Sequence, residues 1–174
     1  NIYQQELKMK PAAFLDRDGV LNKEKGYVFE IKDFEWITSA AEAIKFLNQN
    51  NFYVFVVTNQ SGIGKGLYSE MDVKNLHKFM NKELQKKSAY IDDFFYSPYH
   101  PDGISHDYDH LSNLRKPDVG MLQLAFNKWS IDKDKSFMIG DSESDILCAN
   151  RFGIKSYLFR SNNLFDFVRE NIKI

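Results

Sequence analysis

Short runs of apolar residues alternate along this chain with longer segments in which apolar residues recur every three or four positions. The short runs predict buried strands, and the recurring pattern predicts helices with one apolar face. We predict strands over 12–15, 52–57, 94–96, 137–139 and 155–159, and helices over 38–48, 69–87, 119–129, 144–150 and 164–171. Ser39 and Glu42 have the spacing of a capping box at the start of the first helix. Alternating strands and helices predict an α/β fold, a doubly wound, Rossmann-like parallel sheet with helices on both faces.

The composition is that of an ordinary globular domain. A length of 174 residues suits one domain over 1–174, and the 43% of hydrophobic residues can form its core. The formal net charge of −1 provides no general attraction for nucleic acid or for an anionic membrane. An anionic ligand would therefore need a local site.

Three features bear on the cellular location. The longest apolar run, 52–57, is too short to cross a bilayer, so we expect no membrane span. Residues 1–10 have no apolar core, so we expect no signal peptide, and the missing initial Met leaves open that the chain is part of a longer protein. Cys148 is the only cysteine, which excludes an internal disulfide and a cysteine-built zinc site. We therefore expect a reducing, cytoplasmic location.

Polar residues follow the first two predicted strands at their carboxyl ends, where doubly wound sheets bind ligands. Asp16 and Asp18 follow the first strand, and the alternation of an extended chain points both carboxylates to one side. Gly19 then allows a sharp turn. Thr58 and the segment 59–62 follow the second strand and offer hydroxyl, amide and backbone N–H donors to an oxyanion. Each group, taken alone, is also compatible with an ordinary polar loop.

Two more polar groups complete the pattern. Arg115 and Lys116 stand before Pro117, which restricts the residue preceding it, and Asp141 follows the fourth strand. Alone, the basic pair would be a solvated pair and Asp141 a helix cap. Together the groups indicate a ligand site, because a doubly wound sheet brings all of them to one crevice. Carboxylates from separate strands beside a phosphate-sized cradle predict Mg²⁺, a hard cation that prefers oxygen ligands.

These residues resemble the four motifs of the haloacid dehalogenase superfamily of phosphotransferases. The motifs match Asp16-x-Asp18, Thr58, Lys116 and Gly140-Asp141-x-x-x-Asp145, in the right order over almost the whole chain. The segments "FLDRDGVLN", "GYV", "VVTNQSGIGKG" and "RKPDVGML" resemble a narrower group, the D-glycero-D-manno-heptose 1,7-bisphosphate phosphatases, with the histidinol-phosphate phosphatases as close relatives. The resemblance implies a Mg²⁺-dependent phosphatase.

The resemblance also implies residue roles. Asp16 would be the nucleophile that forms an aspartyl-phosphate, and Asp18 would be the acid–base group. Thr58 and Lys116 would hold the phosphoryl oxygens and complete the catalytic set. Mg²⁺ would bind Asp16, the backbone carbonyl of Asp18, and Asp141. The implied substrate contacts are Gly26, Tyr27, Asn59, Gln60, Ser61 and Arg115.

The motif spacing leaves no room for a separate cap domain before Thr58, so we expect an open site for a small phosphorylated sugar. The most specific expectation is removal of the 7-phosphate of the heptose bisphosphate, and "GYV" favours this over histidinol phosphate. Histidinol phosphate, another phosphomonoester and a polynucleotide 3′-phosphate remain alternatives.

The second predicted helix carries a stripe of lysines. Because no aromatic residues are interleaved with these lysines, the stripe predicts a solvated helix face and not a surface that binds nucleic acid. We expect no nucleic-acid or membrane partner, and a monomer. The stripe consists of Lys74, Lys78, Lys82 and Lys86.

The segment 97–117 holds three of the four histidines and resembles a loop that binds structural zinc in the family. The matching ligand positions are Ser97, Tyr99, Ser112 and Leu114. None of these is a good zinc ligand, so we expect structural zinc to be absent and apolar packing by Tyr99, Leu111 and Leu114 to order the loop. A different site from His106, His110 and an aspartate stays open, but it needs a helical segment.

Two observations limit the narrower expectation. The family commonly has a lysine after the last aspartate motif, where this chain has Ser142. A rival of another class is a non-catalytic phosphate-binding or receiver-like domain, which shares the doubly wound fold. Receiver domains carry their phosphorylated aspartate after the third strand, whereas this third strand is followed by "SPYHP". The presence of all four motifs favours an enzyme.

Overall fold

A computed structural model of the protein describes residues 9–174. The expectation about a signal peptide over residues 1–10 therefore lies almost wholly outside the described residues. Within residues 9–174, five strands form one parallel sheet in the order β3-β2-β1-β4-β5. They are β1 (Ala12–Leu15), β2 (Tyr53–Asn59), β3 (Asp93–Ser97), β4 (Phe137–Gly140) and β5 (Lys155–Leu158).

In the described part of the chain, five α-helices connect and follow the strands. They are α1 (Ala40–Gln49), α2 (Glu70–Gln85), α3 (Gly120–Lys128), α4 (Glu143–Phe152) and α5 (Leu164–Asn171). Short 3₁₀ turns lie at Ile31–Asp33, Asp109–Leu114 and Lys133–Lys135. Every predicted strand and helix is present, with bounds that shift by only a few residues. The predicted fold class, a doubly wound parallel sheet, is confirmed.

Alternate residues of the central strand β1 enter two different cores. Ala13 and Leu15 pack in a cluster that α1, α2 and α5 cover on one face of the sheet. Ala12 and Phe14 pack in a second cluster that α3 and α4 cover on the other face. The period of two along a strand produces this division. Because both faces are covered, β1 is wholly apolar, and the first polar side chain comes where the strand ends.

The strand order reverses beside β1. From β1 the chain builds β2 and β3 on one side, then crosses over to build β4 and β5 on the other. The segments that leave β1 and β4 therefore diverge and open a crevice at the carboxyl edge, the place where doubly wound folds bind ligands. Asp16 and Asp141 are the residues that directly follow these two strands.

The predicted capping box at Ser39 and Glu42 is wrong. Ser39 has left-handed backbone angles (φ 62°, ψ 20°), and its side chain does not cap α1. Its hydroxyl instead donates to Asn163 Oδ1 at 2.5 Å and accepts from the Phe165 N–H at 3.0 Å. Asn163 is the N-cap of α5. Tertiary contact between the two helices thus overrides the local spacing, and the serine joins the start of α1 to the start of α5.

Among the described residues, no helix combines the length and the apolar character that crossing a membrane requires. The longest is α2, which spans Glu70–Gln85 and carries charged residues along its exposed face.

We predict that Ser39→Ala lowers the free energy of unfolding by about 1–2 kcal/mol, because two hydrogen bonds between α1 and α5 are lost. Ser88→Ala is the matched control, since Ser88 also has a positive φ (57°) but is exposed, with no side-chain bond to the rest of the described chain. Urea unfolding of both variants is the measurement. Equal losses in the two variants would show that backbone conformation, and not the helix connection, sets the cost.

Candidate active site

Three carboxylates meet at the carboxyl edge of the sheet. Asp16 follows β1, Asp141 follows β4, and Asp145 lies in the first turn of α4. One oxygen from each lies within 4.8 Å of the others. Gly19 allows the turn after β1 to pass close to Asp141, because a Cβ at Gly19 (φ +90°) would stand 1.9 Å from Asp141 Oδ2. The sequence prediction that the strand ends converge is therefore confirmed for Asp16 and Asp141.

Lys116 places an ammonium group among these carboxylates. Its Nζ donates to Asp16 Oδ1 at 3.0 Å, to Asp145 Oδ1 at 2.6 Å and to the Val57 carbonyl at 2.8 Å. The side chain is buried, so these three acceptors replace the water that the ammonium would otherwise bind. Asn59 fixes the lysine backbone, since its amide accepts from the Lys116 N–H at 2.9 Å and donates to the Lys116 carbonyl at 3.1 Å.

Burial and charge set the protonation of this cluster. Burial raises the pKa of Asp16 well above its usual value; Lys116 opposes this, and the Asp145 and Asp141 carboxylates add to it. Burial alone would lower the pKa of Lys116, but Asp16 and Asp145 outweigh burial and raise it above the usual value. Lys116 is therefore a permanent cation at physiological pH. Further positive charge near Asp16 would lower its pKa again and favour the ionised carboxylate.

The cluster fits a divalent cation. Three carboxylates and one ammonium leave a formal charge of two negative units, which an ion such as Mg²⁺ would balance. All the offered ligand atoms are carboxylate oxygens, the type that Mg²⁺ prefers. Asp145 already accepts from Lys116 and from the backbone and hydroxyl of Ser142, so Asp16 and Asp141 have the more available oxygens.

Asp18 belongs to a separate hydrogen-bond network. Its Oδ1 accepts from Arg17 Nε (3.2 Å), Arg17 Nη2 (3.0 Å) and Asn22 Nδ2 (2.9 Å). Its Oδ2 accepts from Gln60 Nε2 at 3.2 Å. The Asp18 carboxylate is not part of the three-carboxylate cluster. Its side chain is thus placed for a different task from that of Asp16.

The polar turn after β2 connects the two networks. Gln60 Nε2 donates to Thr58 Oγ1 at 2.8 Å as well as to Asp18, and Gln60 Oε1 accepts from the Tyr68 hydroxyl at 2.6 Å. Burial raises the pKa of Tyr68 to about 12, so its hydroxyl remains a donor. Thr58 and Gln60 are both buried, and their side chains are therefore held in fixed positions.

A pocket of about 260 Å³ opens beside Asp18. Every predicted substrate residue except Arg115 lines it. Its lining consists of Asp18, Glu24, Gly26, Tyr27, Asn59, Gln60, Ser61 and Tyr68. Gly26 and Tyr27 both have positive φ (72° and 49°), and Lys65 Nζ donates to the Tyr27 hydroxyl at 2.8 Å.

Arg115 is not among the residues that line this pocket. Burial and the charges of Lys65 and Arg115 lower the pKa of His100, so both cations lie near this histidine. His100 Nδ1 accepts from the Asp102 N–H at 3.0 Å. His100 therefore stays neutral there, while Lys65 and Arg115 supply the positive charge.

The segment 97–117 forms no carboxylate–histidine cluster of metal-binding geometry within the described part of the chain. Ser97 is buried and its Oγ is unpartnered there, while Leu114 packs on the second core cluster. His106 lies outside the 3₁₀ turn Asp109–Leu114, is 94% exposed, and contacts Asp109 at 2.9 Å. The loss of zinc remains a prediction, and Leu114 has the packing expected of a replacement residue.

Sequence reasoning missed two residues of the site. The motif match includes Asp145 but implies no role for it, although Asp145 binds Lys116 at 2.6 Å and caps α4 through Ser142. The spacing of Asp141 and Asp145 at i and i+4 was the available signal. The sequence-based expectations assign no role to Arg17. Nothing in the sequence shows that this arginine, at a position between two aspartates, is completely buried.

We predict that the affinity for Mg²⁺ falls as pH falls through the raised pKa of Asp16. Below that pKa, Asp16 is protonated in the metal-free protein, so the ion must displace a proton; above it, Asp16 is ionised and affinity no longer depends on its titration. Calorimetry in buffers of different ionisation enthalpy counts the released proton. The Asp16→Asn variant should bind Mg²⁺ more weakly, and its affinity should no longer depend on pH in this way. If the pH dependence persists in Asp16→Asn, another group is responsible for it.

Comparisons with known proteins agree with this geometry. The HAD-hydrolase-like family model matches residues 113–164. The chain is 41% identical over 161 residues to a D-glycero-beta-D-manno-heptose-1,7-bisphosphate 7-phosphatase of Rhodopseudomonas palustris, covering 92% of this chain and 89% of the relative. It is 39% identical over 150 residues to a D-glycero-alpha-D-manno-heptose-1,7-bisphosphate 7-phosphatase of Photorhabdus laumondii, covering 86% and 81%.

A solved structure is similar over the same extent. It is the D,D-heptose 1,7-bisphosphate phosphatase from B. bronchiseptica complexed with magnesium and phosphate, with a TM-score of 0.77 and 26% identity over 92% of this chain and 87% of that one. Sequence identity, fold and motif geometry therefore point to the same group. The chain belongs to the haloacid dehalogenase-like phosphatases, in the family of the heptose-1,7-bisphosphate 7-phosphatases, and is an enzyme of the phosphoric monoester hydrolase class.

Proposed function

We propose that this enzyme removes the 7-phosphate of D-glycero-D-manno-heptose 1,7-bisphosphate through an aspartyl-phosphate on Asp16. One observation carries the mechanism: Asp16 and Asp18, two residues apart, belong to different networks. Asp16 contacts Lys116 in a carboxylate cluster that fits a cation, and Asp18 lies in the pocket, held by neutral amides and a guanidinium. Two carboxyl groups in contrasting environments suit a nucleophile and an acid–base group.

In the first step, an Asp16 carboxylate oxygen attacks phosphorus, and the bond from phosphorus to the sugar oxygen breaks. Asp18 gives its proton to that sugar oxygen, so the product leaves as an alcohol. Lys116 and Thr58 neutralise and orient the phosphoryl oxygens. Bound Mg²⁺, held by Asp16, Asp141 and the Asp18 backbone carbonyl, would add electrostatic stabilisation of the transferred group.

In the second step, water attacks the phosphorus of the aspartyl-phosphate. Asp18, now ionised, takes the proton of that water, and the bond between phosphorus and the Asp16 oxygen breaks. Inorganic phosphate leaves and both aspartates return to their starting forms. Asp18 thus serves as acid and then as base, which requires that its side chain not be a metal ligand, as its separate network allows.

The heptose bisphosphate is the substrate that the relatives name, in both its alpha and beta forms. The small pocket suits a single sugar, and we assign the second phosphate to Lys65, which contacts Tyr27 of the pocket lining, and to Arg115. Ser142 stands where the family commonly has lysine and contacts Asp145, so this chain lacks that cation. Histidinol phosphate lacks the second phosphate that Arg115 would bind, so it is the weaker candidate substrate.

We further propose a single domain over 1–174 that acts as a cytoplasmic monomer, has no nucleic-acid partner and lacks structural zinc. The lysine stripe adjoins a groove of about 690 Å³, which Phe94 and Tyr96 of β3 also line. These aromatic side chains are engaged elsewhere, however. Phe94 stacks on His77 with ring centroids 4.4 Å apart, and Tyr96 donates to Glu70 at 2.6 Å. Both rings are therefore partly occupied by contacts within the protein, which does not favour them as stacking platforms for bases.

We predict that Asp16→Asn lowers kcat on the heptose bisphosphate by several orders of magnitude, while Asp18→Asn lowers it by about 10²–10⁴-fold. Phosphate release, with and without Mg²⁺, from both anomers, histidinol phosphate and a 3′-phosphorylated oligonucleotide is the measurement. Ser88→Ala, on the exposed surface, serves as the control. Near-normal turnover by Asp16→Asn would overturn the mechanism, and preference for histidinol phosphate would overturn the substrate.

We predict that Arg115→Met lowers kcat/KM for the 1,7-bisphosphate by about 10–100-fold, the range expected for a lost hydrogen bond to a charged group. The 7-monophosphate of the same heptose should lose much less, because it has no second phosphate. Arg169→Met, an exposed arginine on α5, is the charge-matched control. Equal losses on both substrates would place Arg115 at the transferred phosphate or in structural support, and not at the second one.

A further inference from the structure

The two oxygens of Asp18 have unequal surroundings. Three N–H groups point at Oδ1, two from Arg17 and one from Asn22, at 2.9–3.2 Å. Within the described residues, Oδ2 accepts only the Gln60 amide at 3.2 Å, and Gln60 itself lines the pocket. An oxygen that already accepts three hydrogen bonds has no lone pair left for a proton. The proton of a neutral Asp18 therefore belongs on Oδ2.

Arg17 has further contacts on the side of its guanidinium away from Asp18. Its side chain is completely buried, and its Nη2 also donates to the Val28 carbonyl. Its Nη1 lies 3.3 Å from His77 Nε2. A guanidinium has no acceptor, so His77 Nε2 must accept and the ring proton must sit on Nδ1. The guanidinium is thereby fixed in position by the strand end, the segment before Phe29 and helix α2.

His77 is suited to remain this acceptor. It is buried on α2, and its ring stacks on Phe94. Burial and the positive charge of Arg17 lower the pKa of His77 well below its usual value. The imidazole is therefore neutral at neutral pH and keeps a lone pair for Arg17.

We propose that Arg17 is the positioning residue of Asp18, holding Oδ1 so that Oδ2 alone passes the proton to and from the pocket, with His77 as the anchor of Arg17. This inference rests on the proposed role of Asp18. Within the described residues, the Arg17 side chain does not line the pocket and does not contact the three-carboxylate cluster. Its backbone N–H donates to Asp16 Oδ1 at 2.9 Å, a contact that side-chain substitutions leave in place.

A comparison of two leaving groups tests the proposal. A sugar alkoxide needs a proton to leave, whereas 4-nitrophenolate leaves as a stable anion. The parameter is kcat/KM, which reports the steps through cleavage of the bond to the leaving group. We expect Arg17→Met to lower it for the heptose bisphosphate by about 10²-fold, within the range for a positioned acid, and to change it for 4-nitrophenyl phosphate by less than about threefold. Arg17→Lys should lie between Arg17→Met and the parent.

Two further variants separate positioning from general destabilisation. Leu76→Ala removes a buried side chain next to His77 on α2 and should lower the melting temperature while leaving the ratio of the two kcat/KM values unchanged. If Arg17→Met does not fold, the His77 pair replaces it. His77→Gln keeps an acceptor and should retain the parent ratio, and His77→Leu removes the acceptor and should shift the ratio toward the aryl substrate.

Asp18→Asn distinguishes this inference from the proposed function beneath it. If Asp18→Asn shifts the ratio and the Arg17 or His77→Leu variants shift it too, the positioning role is supported. A shifted ratio in Asp18→Asn with a parent-like ratio in the Arg17 or His77→Leu variants overturns the inference alone. An unshifted ratio in Asp18→Asn overturns the acid role of Asp18, and the positioning role with it.

Discussion

The site depends on one buried contact, the ammonium of Lys116 against Asp16 and Asp145. Carboxylates that converge at the carboxyl edge of a parallel sheet repel one another, and burial makes their ionised forms still less favourable. Lys116 offsets part of this cost at distances of 2.6–3.0 Å. The lysine is in turn held by Asn59 at the end of β2, so the strand carrying Thr58 also fixes the group that compensates Asp16. The remaining negative charge creates the demand for a divalent cation.

Separation of the two aspartates is what gives the site two chemical functions. Asp16 and Asp18 are the same residue type, two positions apart, but their side chains lie in different surroundings. Asp16 lies beside the Lys116 ammonium and the carboxylates of Asp141 and Asp145. Asp18 accepts hydrogen bonds from Arg17, Asn22 and Gln60. Gln60 bridges Thr58 and Asp18, so phosphate-binding and proton-transfer groups share one rigid amide. Such fixed donors need no rearrangement when charge moves in the reaction.

The segment between β3 and α3 has to deliver Arg115 and Lys116 to the crevice. Pro98 accepts from the Gly64 N–H, Gly64 accepts from the Ile104 N–H, and Leu114 packs on the second core cluster. Backbone contacts with the turn after β2, together with apolar packing by Leu114 and Tyr108, therefore order the part of the segment that precedes the catalytic lysine. This is a physical basis for holding the segment without an ion.

The sequence by itself determined the α/β class, the alternation of strands and helices, and the convergence of Asp16 and Asp141. It could do so because strand burial, helical period and the carboxyl-edge rule are local or topological properties. Only the tertiary structure decided that Ser39 joins α1 to α5 and that Asp145 shares Lys116 with Asp16. It alone also showed that Arg17 lies buried between its neighbour Asp18 and His77, which is sixty positions after Arg17 in the chain. Most of these contacts join side chains that are distant in sequence. Whether such polar groups form hydrogen bonds with each other depends on whether the packed helices exclude water from them, and only the tertiary structure determines this.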